Sequence, residues 1–501
     1  MNEPVFEKVN FCVEKEKIVD KIKAECKTEL LSESVKKPLC VFARVFGISK
    51  EVKDLKVQYG GKIVFYFFFV NADGEVKKLE CVNEFVGVST LPQGFENSEI
   101  KIKIDEGKAE CDLTKVNATL SAPLFVEIMA SQKESCLALS SGEDLVSKTC
   151  EICSFKSFGE RSGCYPVEEE FGINFAVKEV LSQKAEVVIT DVQCGAMSII
   201  VDGEIYLSCL LLQKIEKSDI IREEKRLPFR IEIEHEDALP SAIATAFARI
   251  KNLSTDIQVD EENGKSTVRV SILLDLTGEV LIEEEKTVVE DAFSKSKHIT
   301  LEKVENAFYS PEKLAVKNGT VKCKASVENL PVGARIMAVG SERAEVVSYS
   351  IKENSIQIEG VLSMSVYLKD LEGGLYSYSL EGPFEITLDA LADFDNLQIE
   401  LTPYLSSARI LSMTEIELES QITFSLKGKT LKKISVISGV KEGEEKALSD
   451  KAISVYIPLE NESLWNLSKR LGVCPSELLE TNKELQFPLT GKERIVIYRQ
   501  K

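Results

Sequence analysis

The chain has 501 residues, a length that suggests roughly three or four domains. Of these residues, 44% are hydrophobic and 29% are charged, which is ordinary for a soluble globular protein. Its formal net charge is −20, which argues against nucleic acid and anionic membrane surfaces as direct partners. The longest apolar run, 63–70, is too short to span a membrane, and residues 1–21 lack the apolar core of a signal peptide. We therefore expect a cytoplasmic protein without membrane insertion.

The N-terminal residues carry a helical pattern. Within 13–30, Ile18, Ile22 and Cys26 recur at intervals of four residues, which places them on one face of a helix. We predict an N-terminal helical segment over residues 1–36 that packs on the β-rich region after it. A helix that binds a partner protein is the alternative interpretation.

The long middle of the chain repeats one pattern three times. Gly61, Gly203 and Gly360 each open an alternating, strand-like segment, and a Phe follows 24 to 26 residues later, at Phe85, Phe229 and Phe384. Such alternation, rich in β-branched and aromatic residues, is typical of half-buried strands. We predict a mainly-β fold with three repeated β-rich domains over residues 37–140, 165–290 and 315–440. Charge runs predict linkers near 140–162, 286–303 and 439–451.

The thirteen cysteines are scattered and odd in number, so without a signal peptide we expect free thiols. Cys150, Cys153 and Cys164 form the one local cluster, but a structural zinc site needs four ligands, and His235 and His298 lie far downstream. We predict that the cluster binds no metal, with a zinc site as the less favoured alternative. Both histidines are predicted to be solvated polar residues.

Motifs for catalysis are missing from the sequence. We find no phosphate-binding Gly-x-x-x-x-Gly-Lys-Ser/Thr loop, no Gly-x-Ser-x-Gly elbow and no His-Glu-x-x-His. A pair of carboxylates of the glycosidase kind is not excluded by counting acidic residues. The prediction is a protein that is not an enzyme and takes no cofactor.

Residues 452–500 predict a small module of strand, two helices and strand. Ile453, Val455 and Ile457 alternate as in a strand, and Leu464, Leu467 and Leu471 then share one helical face. Helix signals follow in order: Gly472 as a C-terminal stop, Pro475 at the start of a second helix, and Asn482 at its end. Residues 494–498 read as the closing strand. Trp465, the only Trp of the chain, is predicted to lie in the core of this module, with a platform that stacks on a sugar as the alternative.

In this layout the C-terminal segment resembles a LysM module, a family of small binding domains. Members that bind N-acetylglucosamine polymers usually carry Gly-Asp-Thr-Leu where this chain has Asn461-Glu462-Ser463-Leu464. They contact the sugar with this loop and with the loop after the second helix. The resemblance therefore implies Asn461, Glu462, Ser463, Leu464 and Asn482 as candidate partner-binding residues, for a glycan or for a protein.

Three such β-rich domains followed by a LysM module resemble the SPOCS-domain (DUF3794) family of endospore-forming Firmicutes, in particular its spore-coat morphogenesis members. The resemblance implies a non-enzymatic assembly protein that is cytosolic in the mother cell and recruited to the forespore surface. It also implies that the LysM module holds the ATPase that polymerises as the basement layer of the spore coat. The alternative function is a cell-wall protein that binds peptidoglycan or a chitin-type glycan.

Overall fold

The computed structural model describes residues 4–29, 35–95, 98–114, 117–142, 144–215, 219–352, 355–389, 394–446 and 453–498, without the side chains of 11–16 and 131–134. The mainly-β prediction is confirmed, because most of the described residues lie in antiparallel strands. Among them, no helix is long and apolar enough to cross a membrane.

The strands group into three regions, which we name units 1, 2 and 3, by the sheets that they form. Unit 1 has a sheet in the order β2-β3-β4 and a second sheet in the order β1-β7-β5, to which β6 is added on β7. Its strands are β1 (Val5–Glu29), β2 (Val35–Lys53), β3 (Lys56–Asn71), β4 (Val76–Thr90), β5 (Glu99–Glu106), β6 (Glu110–Leu113) and β7 (Asn117–Ser141).

In unit 2 the sheets have the orders β9-β10-β11 and β8-β13-β12. The strands are β8 (Leu145–Ile173), β9 (Val177–Cys194), β10 (Ser198–Gln213), β11 (Ile220–Glu234), β12 (Ile243–Asp260) and β13 (Lys265–Ser294). Unit 3 has sheets β16-β17-β18 and β15-β20-β19, and a ribbon of β14 and β21. Its strands are β14 (Lys297–Tyr309), β15 (Lys313–Ser326), β16 (Arg335–Lys352), β17 (Ser355–Lys369), β18 (Leu375–Asp389), β19 (Asn396–Ser412), β20 (Glu415–Lys429) and β21 (Leu431–Glu445).

The three glycines singled out in the sequence lie at corresponding places in the middle strands of these units. Each pairs across the ladder with its own phenylalanine: Gly61 with Phe85, Gly203 with Phe229, and Gly360 with Phe384. The phenylalanine rings lie over the glycines, so that a Cβ on any of the three would collide with the facing ring. Backbone is close on the other side, since a Cβ on Gly203 would lie 2.6 Å from Val188 O. A residue without a side chain is therefore required at Gly203 and Gly360, and at Gly61 a Cβ would make tight contacts at 3.0 Å.

The apolar run of β3 is explained by burial of both faces of the strand. Ile63, Phe65 and Phe67 point into the core between the two sheets of unit 1. Tyr66 and Phe68 point the other way, into a cluster shared with Leu210 of unit 2 and Tyr367 of unit 3, among others. The middle strands of all three units thus meet at the centre of the molecule. Since β3 is buried on both faces there, its sequence is apolar throughout.

A second contact between the units is made by three two-stranded ribbons. The outer halves of the pairs β1/β7 and β8/β13, together with the pair β14/β21, extend beyond the sheets, and we call these three ribbons the stalk. Their inward side chains form two small apolar cores, which include Val9, Phe155, Val288, Phe308 and Val436 in the first and Leu139, Val289, Ala292 and Ile437 in the second.

The predicted N-terminal helix over residues 1–36 is wrong: the described part of it up to Glu29 is strand β1, paired with β7. Ile18, Ile22 and Cys26 do share a buried side. A spacing of four residues, however, satisfies a strand of period two as well as a helix. Val19, the residue after Ile18, lies on the opposite side of the strand and is 64% exposed.

The predicted linkers are also wrong where the structure describes them. Residues 145–162 lie in β8, 286–294 in β13, 297–303 in β14 and 439–445 in β21. In these segments charged residues alternate with the apolar residues that form the stalk cores. The charged residues therefore lie on the solvated face of a strand. The units therefore extend beyond the predicted limits 37–140, 165–290 and 315–440.

The expectation that all cysteines are free is wrong for one pair. Cys26 of β1 and Cys81 of β4 form a disulfide that joins the two sheets of unit 1. The other cysteines with described side chains are free thiols.

The C-terminal residues form a separate small module with the predicted order of elements. They comprise β22 (Ile453–Tyr456), α1 (Leu464–Leu471), α2 (Pro475–Thr481) and β23 (Ile495–Tyr498), with β22 antiparallel to β23. We call residues 453–498 the C-terminal module.

Candidate docking module

The C-terminal module is held together by its own small core. Leu467 and Leu471 of α1 and Leu478 of α2 pack against Ile495 and Ile497 of β23. Ser463 caps α1, since its side-chain oxygen accepts a hydrogen bond from the Asn466 amide at 3.2 Å. Gly472 ends α1 in the left-handed conformation, with φ at 67°. Capping and periodicity read from the sequence thus place both helices.

Glu462, a candidate partner-binding residue, is buried and fully engaged inside the module. Its Oε1 accepts from Arg470 Nε at 2.9 Å, and its Oε2 accepts from Arg470 Nη2 at 2.8 Å and from the Leu459 amide at 2.9 Å. The hydrogen bonds from Arg470 lower the pKa of Glu462 and outweigh the effect of burial. The carboxylate fixes the loop before α1 and has little capacity left for a ligand.

Asn482, the candidate from the second loop, is engaged in the same way. Its Nδ2 donates to Leu478 O at 2.9 Å and to Val496 O at 2.8 Å, and its Oδ1 accepts from the Val496 amide at 2.8 Å. The amide group therefore pairs with β23 as a neighbouring strand would. It ties the end of α2 to the closing strand.

The structure brings the two predicted loops together. The amide of Asn461, which has a left-handed φ of 60°, donates to Leu489 O at 2.8 Å. Leu464 packs partly against the module core, and Asn461 is exposed. Of the five candidates, then, Glu462, Ser463 and Asn482 use their polar groups within the module, and Asn461 presents its side chain to solvent.

The outer face of the two-stranded sheet is apolar and exposed. Side chains of β22 and β23 alternate, so that Tyr456, Ile495 and Ile497 face the core. The opposite side and the residues after β22 present side chains that are each more than half exposed: Ile453, Val455, Ile457, Leu459 and Tyr498. We call these five residues the outer apolar face. The sequence alternation predicted this strand but gave no indication of which face would remain exposed.

Trp465 does not lie in the module core, and that prediction is wrong. Its indole Nε1 donates to Asp291 Oδ2 at 2.8 Å, and its ring lies 5.4 Å from the ring of Phe293. Lys469 contacts both Asp291 oxygens at 2.7 Å, and Lys295 pairs with Glu477 at 2.8 Å. Helix α1 is thus docked on the end of β13, at the tip of the stalk.

Sequence reasoning missed Asp291 and Phe293, because it assigned them to a charged linker. The available signal was the apolar pattern of Val288, Val289 and Ala292 around them, which is typical of a strand with a buried face. Burial alone would raise the pKa of Asp291, but the hydrogen bonds from Lys469 and Trp465 outweigh it and lower this pKa.

We expect Asp291→Ala to release α1 from the stalk. Because Trp465 is the only Trp, its fluorescence reports on this contact directly, and the emission should move to the red as the indole becomes hydrated. In the wild type the contact is complete above the ordinary Asp pKa of 3.8 and is lost as the pH falls through the lowered pKa of Asp291.

Glu290→Ala is the matched control, since the neighbouring carboxylate pairs with Lys148 and not with the module. An unchanged spectrum in Asp291→Ala, or the same red shift in Glu290→Ala, would show that Asp291 does not hold the module.

Cys150, Cys153 and Cys164 all lie on β8, where their geometry disfavours a shared metal. Cys150 and Cys153 are three residues apart on a strand and so point to opposite faces. Cys164 lies eleven residues beyond Cys153, about 35 Å along an extended chain. Burial raises the pKa of the Cys150 and Cys153 thiols, which makes the ligating thiolate scarcer. The described residues contain no group of three His, Cys, Asp or Glu side chains arranged to hold a metal ion.

The two histidines differ from each other. His298 is exposed, as predicted, whereas His235 is buried and has its Nε2 3.2 Å from Gly159 O, so the prediction of a solvated side chain is wrong for His235. No nucleophile or carboxylate pair is joined to it by the hydrogen bonds within the described part of the chain.

A cavity of about 2100 Å³ lies between the three units. Its wall combines basic and acidic side chains from each unit, such as Arg44 with Glu106, Lys184 with Glu342, and Lys427 with Glu400. The volume exceeds the usual range of about 300–1,000 Å³ for small-molecule pockets. These charges are paired with one another.

None of the known protein families, curated proteins and solved structures that were compared with the chain matches it.

Proposed function

We propose that this chain is a non-enzymatic assembly protein of the endospore envelope, acting in coat and cortex formation. In this proposal its three units are repeats of one SPOCS-like domain, and its C-terminal module is a LysM module. The proposal rests on the resemblance in sequence and is supported by the corresponding placement of Gly61, Gly203 and Gly360. The protein acts in the mother-cell cytoplasm and is recruited to the forespore surface.

The module docks onto a protein, for which the resemblance suggests the ATPase of the coat basement layer. One observation carries the choice of a protein over a glycan: the module exposes the outer apolar face, from which five large hydrophobic side chains project into solvent. Sugar recognition needs free hydrogen-bonding groups on the loops that the resemblance implies. Here Glu462 and Asn482 are engaged internally, and Trp465 lies against the stalk.

A co-sedimentation and pull-down experiment tests this proposal. The full chain should bind the immobilised basement-layer ATPase of the same organism and stay in the supernatant with insoluble peptidoglycan or chitin. Val455→Glu should weaken ATPase binding at least tenfold, because a charge in the centre of an apolar contact is left unpaired.

Val347→Glu provides the control, since Val347 is 69% exposed on unit 3 and lies outside the module. Retention of the wild type on peptidoglycan would favour the glycan-binding alternative. If Val455→Glu and the wild type bind the ATPase equally well, the outer apolar face is not the binding surface.

A further inference from the structure

Unit 1 carries an exposed apolar surface on the outer side of β4. Val82, Val86 and Val88 alternate along this strand and are 56%, 66% and 54% exposed. We call these three residues the valine patch. They lie on the terminal strand of the sheet β2-β3-β4, on the side away from the unit 1 core that Phe85 faces.

The corresponding positions of the other two units are polar, nearly all of them charged. The phenylalanines Phe85, Phe229 and Phe384 align the three strands. Relative to these residues, the positions of the valine patch are occupied by Arg226, Arg230 and Glu232 in unit 2 and by Glu381, Glu385 and Thr387 in unit 3. Arg226 pairs with Glu204 and Arg230 with Asp202 on the neighbouring strand, as expected of a solvated sheet face. Unit 1 alone has exchanged this solvated face for valines, and an exposed apolar patch of this kind marks an interaction surface.

The charges beside the valine patch are self-complementary. Glu84 lies between Val82 and Val86 on β4, and directly opposite it on β3 is Lys62; both side chains are exposed. When two copies face each other across a twofold axis, Glu84 of each copy meets Lys62 of the other, so that the pair forms twice. A surface with only one sign of charge would repel its own copy.

We propose that the valine patch is the contact surface between two copies of this chain. The dimer is isologous, and it closes because the patch occurs on only one of the three units. In each copy, three partly exposed valines with Glu84 and Lys62 bury much less surface than the roughly 800 Å² per partner of a standard interface. The dimer is therefore weak, with a dissociation constant in the micromolar range or above, and it forms where the protein is locally concentrated. This proposal does not depend on the function proposed above.

Sedimentation velocity of the full chain over a range of concentrations tests the dimer. The wild type should show a monomer–dimer equilibrium, and Val86→Glu should weaken it at least tenfold because the patch then carries an extra unpaired charge. Val332→Glu makes the same chemical change at a valine that is 78% exposed outside the patch, and it should leave the equilibrium unchanged. A wild type that stays monomeric at every concentration, or equal effects of Val86→Glu and Val332→Glu, would overturn the proposal.

A charge exchange tests the crosswise geometry separately. Glu84→Lys and Lys62→Glu should each weaken self-association, since each creates like charges across the twofold axis. An equimolar mixture of the two variants should associate again, because the lysine introduced in one chain then meets the glutamate introduced in the other. Both results are specific to an intermolecular pair, and a mixture that associates no better than either variant alone contradicts this dimer.

Discussion

Replacing Arg222 with alanine is expected to lower the free energy of unfolding by about 3–5 kcal/mol. Arg222 of β11 donates from Nη1 to Glu342 Oε2 at 2.8 Å and to Val339 O at 3.1 Å, across the contact between units 2 and 3. Both charged side chains are more than nine-tenths buried. Without the guanidinium, the Glu342 carboxylate stays buried with Lys184, 3.8 Å away, as its remaining cation.

The same variant should change how stability depends on pH. In the wild type, burial would raise the pKa of Glu342, but attraction to Arg222 and Lys184 outweighs it and lowers this pKa to about 2. That contribution to stability is fully present above the ordinary value of 4.5 and is lost as the pH falls through about 2. In Arg222→Ala the buried carboxylate prefers to be protonated. The stability gap to the wild type should therefore shrink in acid and widen with rising pH up to the raised pKa of Glu342 in the variant, above which it is largest.

Urea unfolding followed by far-ultraviolet circular dichroism measures this effect on the β units. The double variant Arg222→Met, Glu342→Leu should recover most of the loss, because it removes the buried carboxylate together with the guanidinium. Glu224, the other partner of Arg222, is less buried than Glu342, and Lys184 keeps its pair with Glu186. Arg269→Ala removes one partner of an exposed pair with Glu170 and should leave the unfolding midpoint unchanged. If Arg222→Ala unfolds at the same urea concentration as the wild type, the buried pair does not hold units 2 and 3 together.

The sequence predicts those parts of the fold that depend on local pattern. The alternation around Gly203 and Gly360 marks β10 and β17, where at least one residue in two points into a core. The pattern fails at β1, because the spacing of Ile18, Ile22 and Cys26 is compatible with either period. It fails also along the stalk, where the apolar residues face other ribbons and not their own sheet.

The same distinction separates the two halves of the candidate site. Ser463 and Gly472 mark the ends of α1 through bonds within a few residues, so the sequence shows them. The bond of Trp465 to Asp291 joins residues 174 positions apart, and nothing near Trp465 in the sequence points to it. Likewise, the pairing of Asn482 with Val496 becomes evident only when α2 and β23 are placed side by side.

Deletion of residues 453–501 is expected to abolish partner binding while the three units stay folded. The module core consists of residues within the module, and its contacts with the stalk tip involve Asp291 and Phe293 at the end of β13 and Lys295 just after it. Removal of such a separately cored domain leaves the other cores intact. The truncated chain should keep its circular dichroism spectrum and urea midpoint, lose the basement-layer ATPase in the pull-down, and lie diffuse in the mother cell.

The variant Asp291→Ala serves as the companion to this deletion, because it frees the module from the stalk but retains the outer apolar face. It should still bind the ATPase and still reach the forespore surface, since the binding surface proposed here lies on Val455 and its neighbours and away from Trp465. Two results would assign the dock differently, and a third would change the domain boundary. A truncated chain at the forespore would place the dock in the β units. Loss of binding in Asp291→Ala would place it at the junction of α1 and the stalk. Unfolding of the truncated chain would show that the module is part of the β fold, because stability would then depend on the contact with β13.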